Sequence, residues 1–311
     1  MSEYLVVGAG SIGSAVAARL AAQDHTVTVA SRRARGPEHE LVTRVGADAS
    51  DAQRLSELAT GCDAIFNCLN PQYHRWPTDW PPMANALLAS AEKSQAVLVT
   101  LSNLYPYGPP TGPMTPQSPF LAKFEKALVR ATMWQDALDA HNAGRIRATE
   151  VRASDFLGAG GQSMLGDRII PRVLQGKSCR VFGEPDVLHS WTFTDDVART
   201  LITCAQAPSA WGRAWHVPTN PPRTQREAIN DVADVAGCHH VKVAGMPTAA
   251  IRLLGLFNPT VRELPRTMYQ FTMPFVIDDQ ATRIEFELEP TPWRDALDAV
   301  IRSYRQRPSN D

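Results

Sequence analysis

Gly8, Gly10 and Gly13 carry the spacing that lets a peptide backbone cradle a pyrophosphate. The first glycine permits a tight turn, the second lets main chain approach the phosphates, and the third lets a helix pack closely on a strand. Free N–H groups in the first turn of that helix then point at the anion, and Ser11 and Ile12 supply part of this backbone. Glycine spacing alone is a weak signal, so the flanks decide. Tyr4-Leu5-Val6-Val7 reads as a strand before the turn, and Ala15-Val16-Ala17-Ala18-Arg19-Leu20 as a helix after it. In that setting the three glycines predict a dinucleotide site.

A second strand, Thr26-Val27-Thr28-Val29-Ala30, ends where an NAD site would place a carboxylate on the ribose 2′-hydroxyl. The chain instead reads Ser31-Arg32-Arg33. Two guanidiniums offer planar forks of donors and a permanent charge that suit a 2′-phosphate, which a carboxylate would repel. NADP(H) is therefore expected over NAD(H), the plainer alternative being a solvated basic turn.

Composition bounds the rest. A chain of 311 residues with 44% hydrophobic residues can fill one large or two modest cores, and a net charge of −1 argues against a polyanionic partner such as nucleic acid. Cys62, Cys68, Cys179, Cys204 and Cys238 show no metal-binding or disulfide spacing, which fits a reducing compartment. The chain opens on a strand without a basic-then-apolar leader, and no run approaches the ~18 apolar residues of a membrane span. A soluble cytoplasmic protein with a small-molecule substrate is expected, with no membrane partner and homodimer formation left open. His239-His240 would point to opposite faces of a strand with no further ligand at metal spacing, so no metal is expected.

The elements that must position these residues alternate. Helix Asp51–Thr60 precedes strand Ala64–Cys68, helix Met83–Ser94 precedes strand Ala96–Leu101, and helix Phe120–His141 precedes strand Arg147–Arg152. This rhythm predicts an α/β, Rossmann-type, doubly wound parallel sheet. From Gly158 on, Gly158–Gly161, Pro185, Pro208, Pro218 and Pro221-Pro222 loosen it, which predicts a smaller C-terminal substrate lobe. The expected division is a dinucleotide-binding unit over 1–157, rejoined at about 188–218, and a second lobe formed by 158–187 and 219–311.

Several stretches occur in a telling order: the glycine turn, Gly46-Ala47-Asp48-Ala49-Ser50-Asp51, Phe66-Asn67-Cys68-Leu69-Asn70-Pro71, Ser102–Gly108, and Arg152-Ala153-Ser154-Asp155-Phe156-Leu157-Gly158. Leu174–Gly183 and His189-Ser190-Trp191-Thr192-Phe193-Thr194-Asp195-Asp196-Val197-Ala198 continue it. In this the chain resembles the extended short-chain dehydrogenase/reductases, and within them the NAD-dependent epimerase/dehydratase group, up to about residue 295. The resemblance implies that Asp48 and Ala49 meet the adenine, that Cys68 and Asn70 border the cofactor, and that the part after Gly158 builds the substrate lobe.

It also exposes a departure. The family pairs a Ser or Thr with a Tyr four residues before a Lys, the ammonium holding the nicotinamide ribose and lowering the phenol's pKa. Counting back from Arg152 favours Lys126 over Lys123, and the residues four before them are Ala122 and Pro119. The tyrosine is absent. Three readings stay open. Tyr105 or Tyr107 takes over the proton transfer, with Asn103 or Ser102 polarising the substrate oxygen; or Lys126 or a water acts as the acid, as in the phenylpropanoid-reductase relatives; or the chain binds the dinucleotide without chemistry, like redox-sensing regulators of the same fold. Pro106 could equally hold both tyrosines as packing residues, and a helical lysine is usually solvated.

Asn70–Pro82, with four prolines and three large aromatics, is too long for an ordinary βα loop of ~2–6 residues. Tyr73, His74, Trp76 and Trp80, with Phe156, are read as substrate-pocket residues, the first four in a lid over the cleft, against the alternative of a hairpin packed on the helix at Met83. Aromatic walls favour the carbonyl or alcohol of a small organic molecule over a sugar nucleotide, although Arg168, Arg172 and Lys177 could meet a diphosphate. A sugar-nucleotide epimerase or dehydratase with retained NAD(P) is the second enzymatic reading. Thr194-Asp195-Asp196 is read as a helix cap rather than as paired acid–base carboxylates. The apolar Ile251–Phe257 is read as a helix of the second lobe covering the cleft.

Overall fold

The computed structural model of the chain describes residues 1–158, 163–246, 249, 253, 256, 257 and 259–306. Seven strands form one parallel sheet: β1 (Glu3–Val7), β2 (Thr26–Ser31), β3 (Val42–Gly46), β4 (Ala64–Asn67), β5 (Val97–Ser102), β6 (Arg147–Arg152) and a late strand, Ala214–His216. From edge to edge they run Ala214–His216, β6, β5, β4, β1, β2, β3. The chain thus starts in mid-sheet, fills one side through β2 and β3, and crosses to β4 for the other. The crevice of such a sheet lies beyond the carboxyl ends of β1 and β4, where the winding direction switches.

The central strands read as near-continuous apolar runs because both faces are covered. On one face, Val16, Ala17 and Leu20 of α1 (Ser11–Ala21) pack beside Val197 and Leu201 of the helix Thr194–Gln206. On the other, Leu55 of α2 (Ala52–Leu58), Leu87 of α3 (Trp76–Ser94) and Ala137 of α4 (Glu125–Asn142) cover Leu5, Ile65 and Leu98. A separate core joins Leu157 to Ile170, Val181, Ile229, Leu297 and Val300. Its helix Gln225–Ala236 is closed by a capping box between Thr224 and Glu227 and by Gly237 at a positive φ.

Most predicted elements form within a few residues of their expected ends. The largest departure is α3, which begins at Trp76 rather than Met83 and contains Pro81 and Pro82. Each proline removes one helical N–H, a cost of about 3 kcal/mol in a helix interior. The helix persists because Trp76 and Trp80, one turn apart, bury against Met133 of α4. The helix before β6 starts at Glu125 rather than Phe120. Thr194 is the first residue of its helix, and the capping position falls on Phe193 with no side-chain bond. Asp195 pairs with Arg19, while Asp196 accepts from the backbone N–H and hydroxyl of Thr291, so both carboxylates are structural. Residues 159–161 of the glycine-rich stretch, and most of Ile251–Phe257, lie outside the described residues.

Candidate active site

The glycine turn is built as a cradle. Gly8 has φ +110°, and a Cβ there would lie 2.6 Å from the Cys68 carbonyl oxygen, so β1 and β4 close together only over a glycine. A Cβ on Gly13 would lie 1.9 Å from the Gly8 carbonyl oxygen, which locks helix to turn. At Gly10 a Cβ would meet nothing within 4 Å. Gly10 is also the N-cap of α1, with no side-chain cap and no acidic residue in the first turn. The first N–H groups of α1, from Ser11 and Ile12 on, are therefore left to an external acceptor, and the macrodipole favours an anion there. These residues fit a dinucleotide pyrophosphate.

At the end of β2 the side chains of Arg32 and Arg33 are exposed. The Ser31 hydroxyl is taken by its own turn, accepting from the Arg35 N–H at 2.8 Å, so only the guanidiniums are free to reach outward. Asp48 accepts from the N–H and hydroxyl of Ser50 at 2.9 and 2.8 Å, which with the Arg32 charge lowers its pKa. Ala49 is buried beneath it. After β4, the Cys68 thiol is buried and pushed up to about 12, which makes it inert packing, and Asn70 is exposed.

The expected aromatic lid is instead core. Tyr73, Trp76 and Trp80 are buried in one cluster with Met133, and Arg130 of α4 lies over the Trp76 and Trp80 rings at 4.9 and 4.3 Å. Burial pushes the Arg130 guanidinium down to about 10. His74 is exposed. Of these four residues Tyr73 and Trp76 touch the Tyr105 ring after β5, and Phe156 packs half-buried against the sheet core. The helical spacing of Trp76 and Trp80 marks one face of a helix, a period that the prolines masked.

The two tyrosines after β5 have separate fates. Tyr107 is buried, its hydroxyl accepting from Arg152 Nη1 at 2.6 Å and standing 2.9 Å from His216 Nε2. Arg152 also donates to Glu150 at 2.6 Å, and this buried network clamps β6 to the segment 107–120. Tyr107 is thus held in the framework and is not brought to Lys126. Tyr105 stands between the rings of Tyr73, Trp76 and Phe124, and its hydroxyl is paired with that of Tyr73. Burial, reinforced by the neighbouring Tyr73, holds its phenol well above the ordinary value of 10.0. Asn103 accepts from the Tyr105 N–H at 3.1 Å and shapes the turn, whereas the buried Ser102 hydroxyl has no hydrogen-bond partner.

Lys126 is buried at the start of α4, its Nζ 4.7 Å above the Tyr73 ring and 2.8 Å from Glu263. Glu263 ends a short helix, Pro259–Glu263, of the C-terminal part, and the ammonium lowers its pKa. Arg168 and Arg172 donate to the carbonyls of Arg180 and Ser178, and Lys177 is exposed. The two arginines thus hold a local strand.

Sequence reasoning missed a further group. Asp155 follows β6 in the strand Asp155–Leu157, which pairs with Trp191–Phe193. His189 Nε2 lies 2.8 Å from Asp155 Oδ2, and His189 Nδ1 lies 3.0 Å from the Gln270 carbonyl oxygen. The Asp155 charge raises both Tyr73 and Tyr105, which places it on their side of the sheet edge. Tyr269 is pushed up to about 12 by burial. Among the described residues, the hydroxyls of Ser102 and Ser154 are buried without a hydrogen-bond partner, while Asp155 and His189 engage each other and Tyr269 engages the Gln270 side chain. Native proteins satisfy most such groups, so the two hydroxyls are open to water or to a polar ligand. No sequence spacing could show this group, because Asp155, His189 and Gln270 meet only in three dimensions.

A model of the NAD dependent epimerase/dehydratase family matches residues 4–217. No curated protein matches the chain. Among solved structures, dTDP-glucose 4,6-dehydratase from Streptomyces venezuelae, solved with NAD, is similar at 19% identity and a TM-score of 0.77, over 98% of this chain and 97% of that one. UDP-glucose 4-epimerase from Thermotoga maritima, solved with UDP-glucose, is similar at 14% identity and a TM-score of 0.79, over 98% and 99% of the two chains. A UDP-N-acetylglucosamine 4-epimerase from Methanobrevibacter ruminantium is similar at 16% identity and a TM-score of 0.79, over 98% of each chain. At these identities the likeness is one of fold. Among the described residues no helix is long and apolar enough to cross a membrane.

Proposed function

The chain belongs to the NAD dependent epimerase/dehydratase family, and from that premise we propose that it is an NADP(H)-dependent oxidoreductase acting on the carbonyl or alcohol of a small organic molecule. The observation that carries this reading is the open cradle at Gly10, above an uncapped helix, with the unpartnered hydroxyls of Ser102 and Ser154 after the fifth and sixth strands. Preference for the phosphorylated dinucleotide rests on this chain's own residues. Arg32 and Arg33 are exposed at the end of β2 and no carboxylate stands there, although several similar structures hold NAD. When bound, the dinucleotide supplies the redox equivalents; Lys126 holds its ribose end, and Tyr105 and Ser102 face the substrate oxygen. The same reading makes 1–157, with the return at about 188–218, the dinucleotide-binding unit, and 158–187 with 219–311 the substrate lobe.

A second reading, a sugar-nucleotide epimerase or dehydratase with retained NAD(P), is favoured by the sugar-nucleotide enzymes among the similar structures. The engaged arginines weigh against it, since Arg168 and Arg172 are held by backbone carbonyls. A panel of small aldehydes and ketones, followed by NADPH absorbance with wild type and Tyr105→Phe, separates the two. Turnover lost in the variant supports the reductase. Conversion of a nucleotide sugar with no net NADPH consumption overturns it.

A further inference from the structure

The ammonium expected to hold a cofactor ribose is already occupied. Lys126 Nζ donates to Glu263 Oε2 at 2.8 Å, and the Tyr73 ring covers it from another side, its centroid 4.7 Å away. Lys126 keeps 5% of its side-chain surface exposed and Glu263 keeps 19%, so the carboxylate is the outer member of the pair. A hydroxyl approaching from solvent therefore reaches the carboxylate before the ammonium. For Lys126 to donate to a ribose, Glu263 has to give way.

The segment that carries Glu263 is a short arm on a fixed base. Pro259–Glu263 lies against the turn Tyr73–Arg75, and none of the side chains at 261–266 is fully buried. The base is firmer. Thr267, Met268, Gln270 and Phe271 are buried, and His189 Nδ1 lies 3.0 Å from the Gln270 carbonyl oxygen. Segments with few buried contacts open at the low end of a protein's range of local stabilities. The arm also carries other cations for its carboxylate. Arg262 and Arg266 are exposed on either side of Glu263, and their charges add to the Lys126 hydrogen bond and charge in lowering its pKa. A carboxylate that leaves Lys126 thus turns toward two solvated guanidiniums, where neither charge is desolvated. One side chain with two sets of partners, a buried ammonium or the arm's own arginines, is a two-state element.

We propose that Glu263 is a latch on the dinucleotide site: closed on Lys126 in the free protein, it swings to Arg262 and Arg266 before a ribose hydroxyl can take the ammonium. This rests on the reading above in which Lys126 holds the ribose end. A ligand that reaches Lys126 binds only the open state, so its apparent affinity is reduced by the fraction of molecules that are open. A ligand confined to the Arg32 and Arg33 end binds both states alike and leaves the latch where it stands.

Calorimetric titration of the full chain with NADPH, and with adenosine 2′,5′-bisphosphate, which lacks the nicotinamide ribose, tests this in wild type and Glu263→Gln. The variant should bind NADPH about tenfold more tightly and the bisphosphate within about twofold of wild type. Hydrogen exchange read by mass spectrometry needs no substitution, so it decides the matter where Glu263→Gln does not fold. Saturating NADPH should speed exchange of the backbone amides at 261–266 by about tenfold, and the bisphosphate should leave it unchanged. Unchanged or weaker NADPH binding in the folded variant, or exchange that NADPH slows or leaves unchanged, overturns the latch and leaves the dinucleotide reading in place. Failure of both NADPH and the bisphosphate to bind wild type overturns that reading, and the latch with it.

Discussion

The ammonium of Lys126, at the start of the fourth helix, lies 2.8 Å from the carboxylate of Glu263, which the C-terminal part of the chain carries across 137 residues of sequence. This contact joins the element expected to hold the cofactor ribose to the lobe expected to hold the substrate. Both side chains are largely buried, so removing one partner leaves the other charge poorly solvated. Glu263→Gln should therefore destabilise the protein by roughly 3 kcal/mol, read as a shift of the urea midpoint, and more than Lys126→Met/Glu263→Gln, which removes both charges. Equal losses in the single and double variants would show that the pair contributes packing alone.

The glycines of the turn divide into structural and ligand-facing roles. Gly13→Ala drives a Cβ into the Gly8 carbonyl and should cost about 3 kcal/mol or more. Gly10→Ala has open space and should cost no more than about 1 kcal/mol, as a changed helix cap. It should nevertheless weaken dinucleotide binding by about tenfold or more, equivalent to ~1.4 kcal/mol. Thermal melts beside calorimetric titrations of both variants check the split.

Tyr105 and Tyr107, two residues apart, should respond oppositely to loss of the hydroxyl. Tyr107→Phe removes an acceptor from Arg152 and the partner of His216 Nε2, at a cost of about 1–3 kcal/mol in stability. It should leave dinucleotide affinity unchanged. Tyr105→Phe should alter stability little and lower turnover.

His216 gives the fold a pH dependence. Burial, reinforced by the Arg152 charge, lowers its pKa from 6.5 to about 3. The folded protein therefore keeps the ring neutral while the unfolded chain takes up a proton below about pH 6.5, so stability falls as pH drops through that window. The loss should approach ~1.4 kcal/mol per pH unit, and denaturant titrations of wild type and His216→Gln at stepped pH should show the slope in wild type only. The opposite sign would mean that His216 is charged in the folded state.

The parallel sheet was legible in the sequence because strands buried on both faces read as apolar runs and the intervening helices keep their spacing. The cradle was legible because Gly8, Gly10 and Gly13 are adjacent and their demands are local. Legibility failed where packing overrode local preference: three prolines disguised the first turns of the helix that buries Trp76 and Trp80. It failed again at the edge beyond the fifth and sixth strands, where chemistry depends on segments distant in the chain. Whether Tyr105 or Tyr107 meets Lys126 turns on a short 3-10 turn, and Asp155, His189 and Glu263 carry no spacing signal.

The central claim is a dinucleotide cradle with a preference set by Arg32 and Arg33. Calorimetric titration with NADPH, NADP+, NADH and NAD+, repeated on Arg32→Ala/Arg33→Ala, tests it directly. The account predicts tight binding of the phosphorylated pair, reduced by about tenfold or more in the double variant, with the unphosphorylated pair weaker and little changed. Equal or tighter binding of NADH and NAD+, or no binding of any of the four, would contradict it.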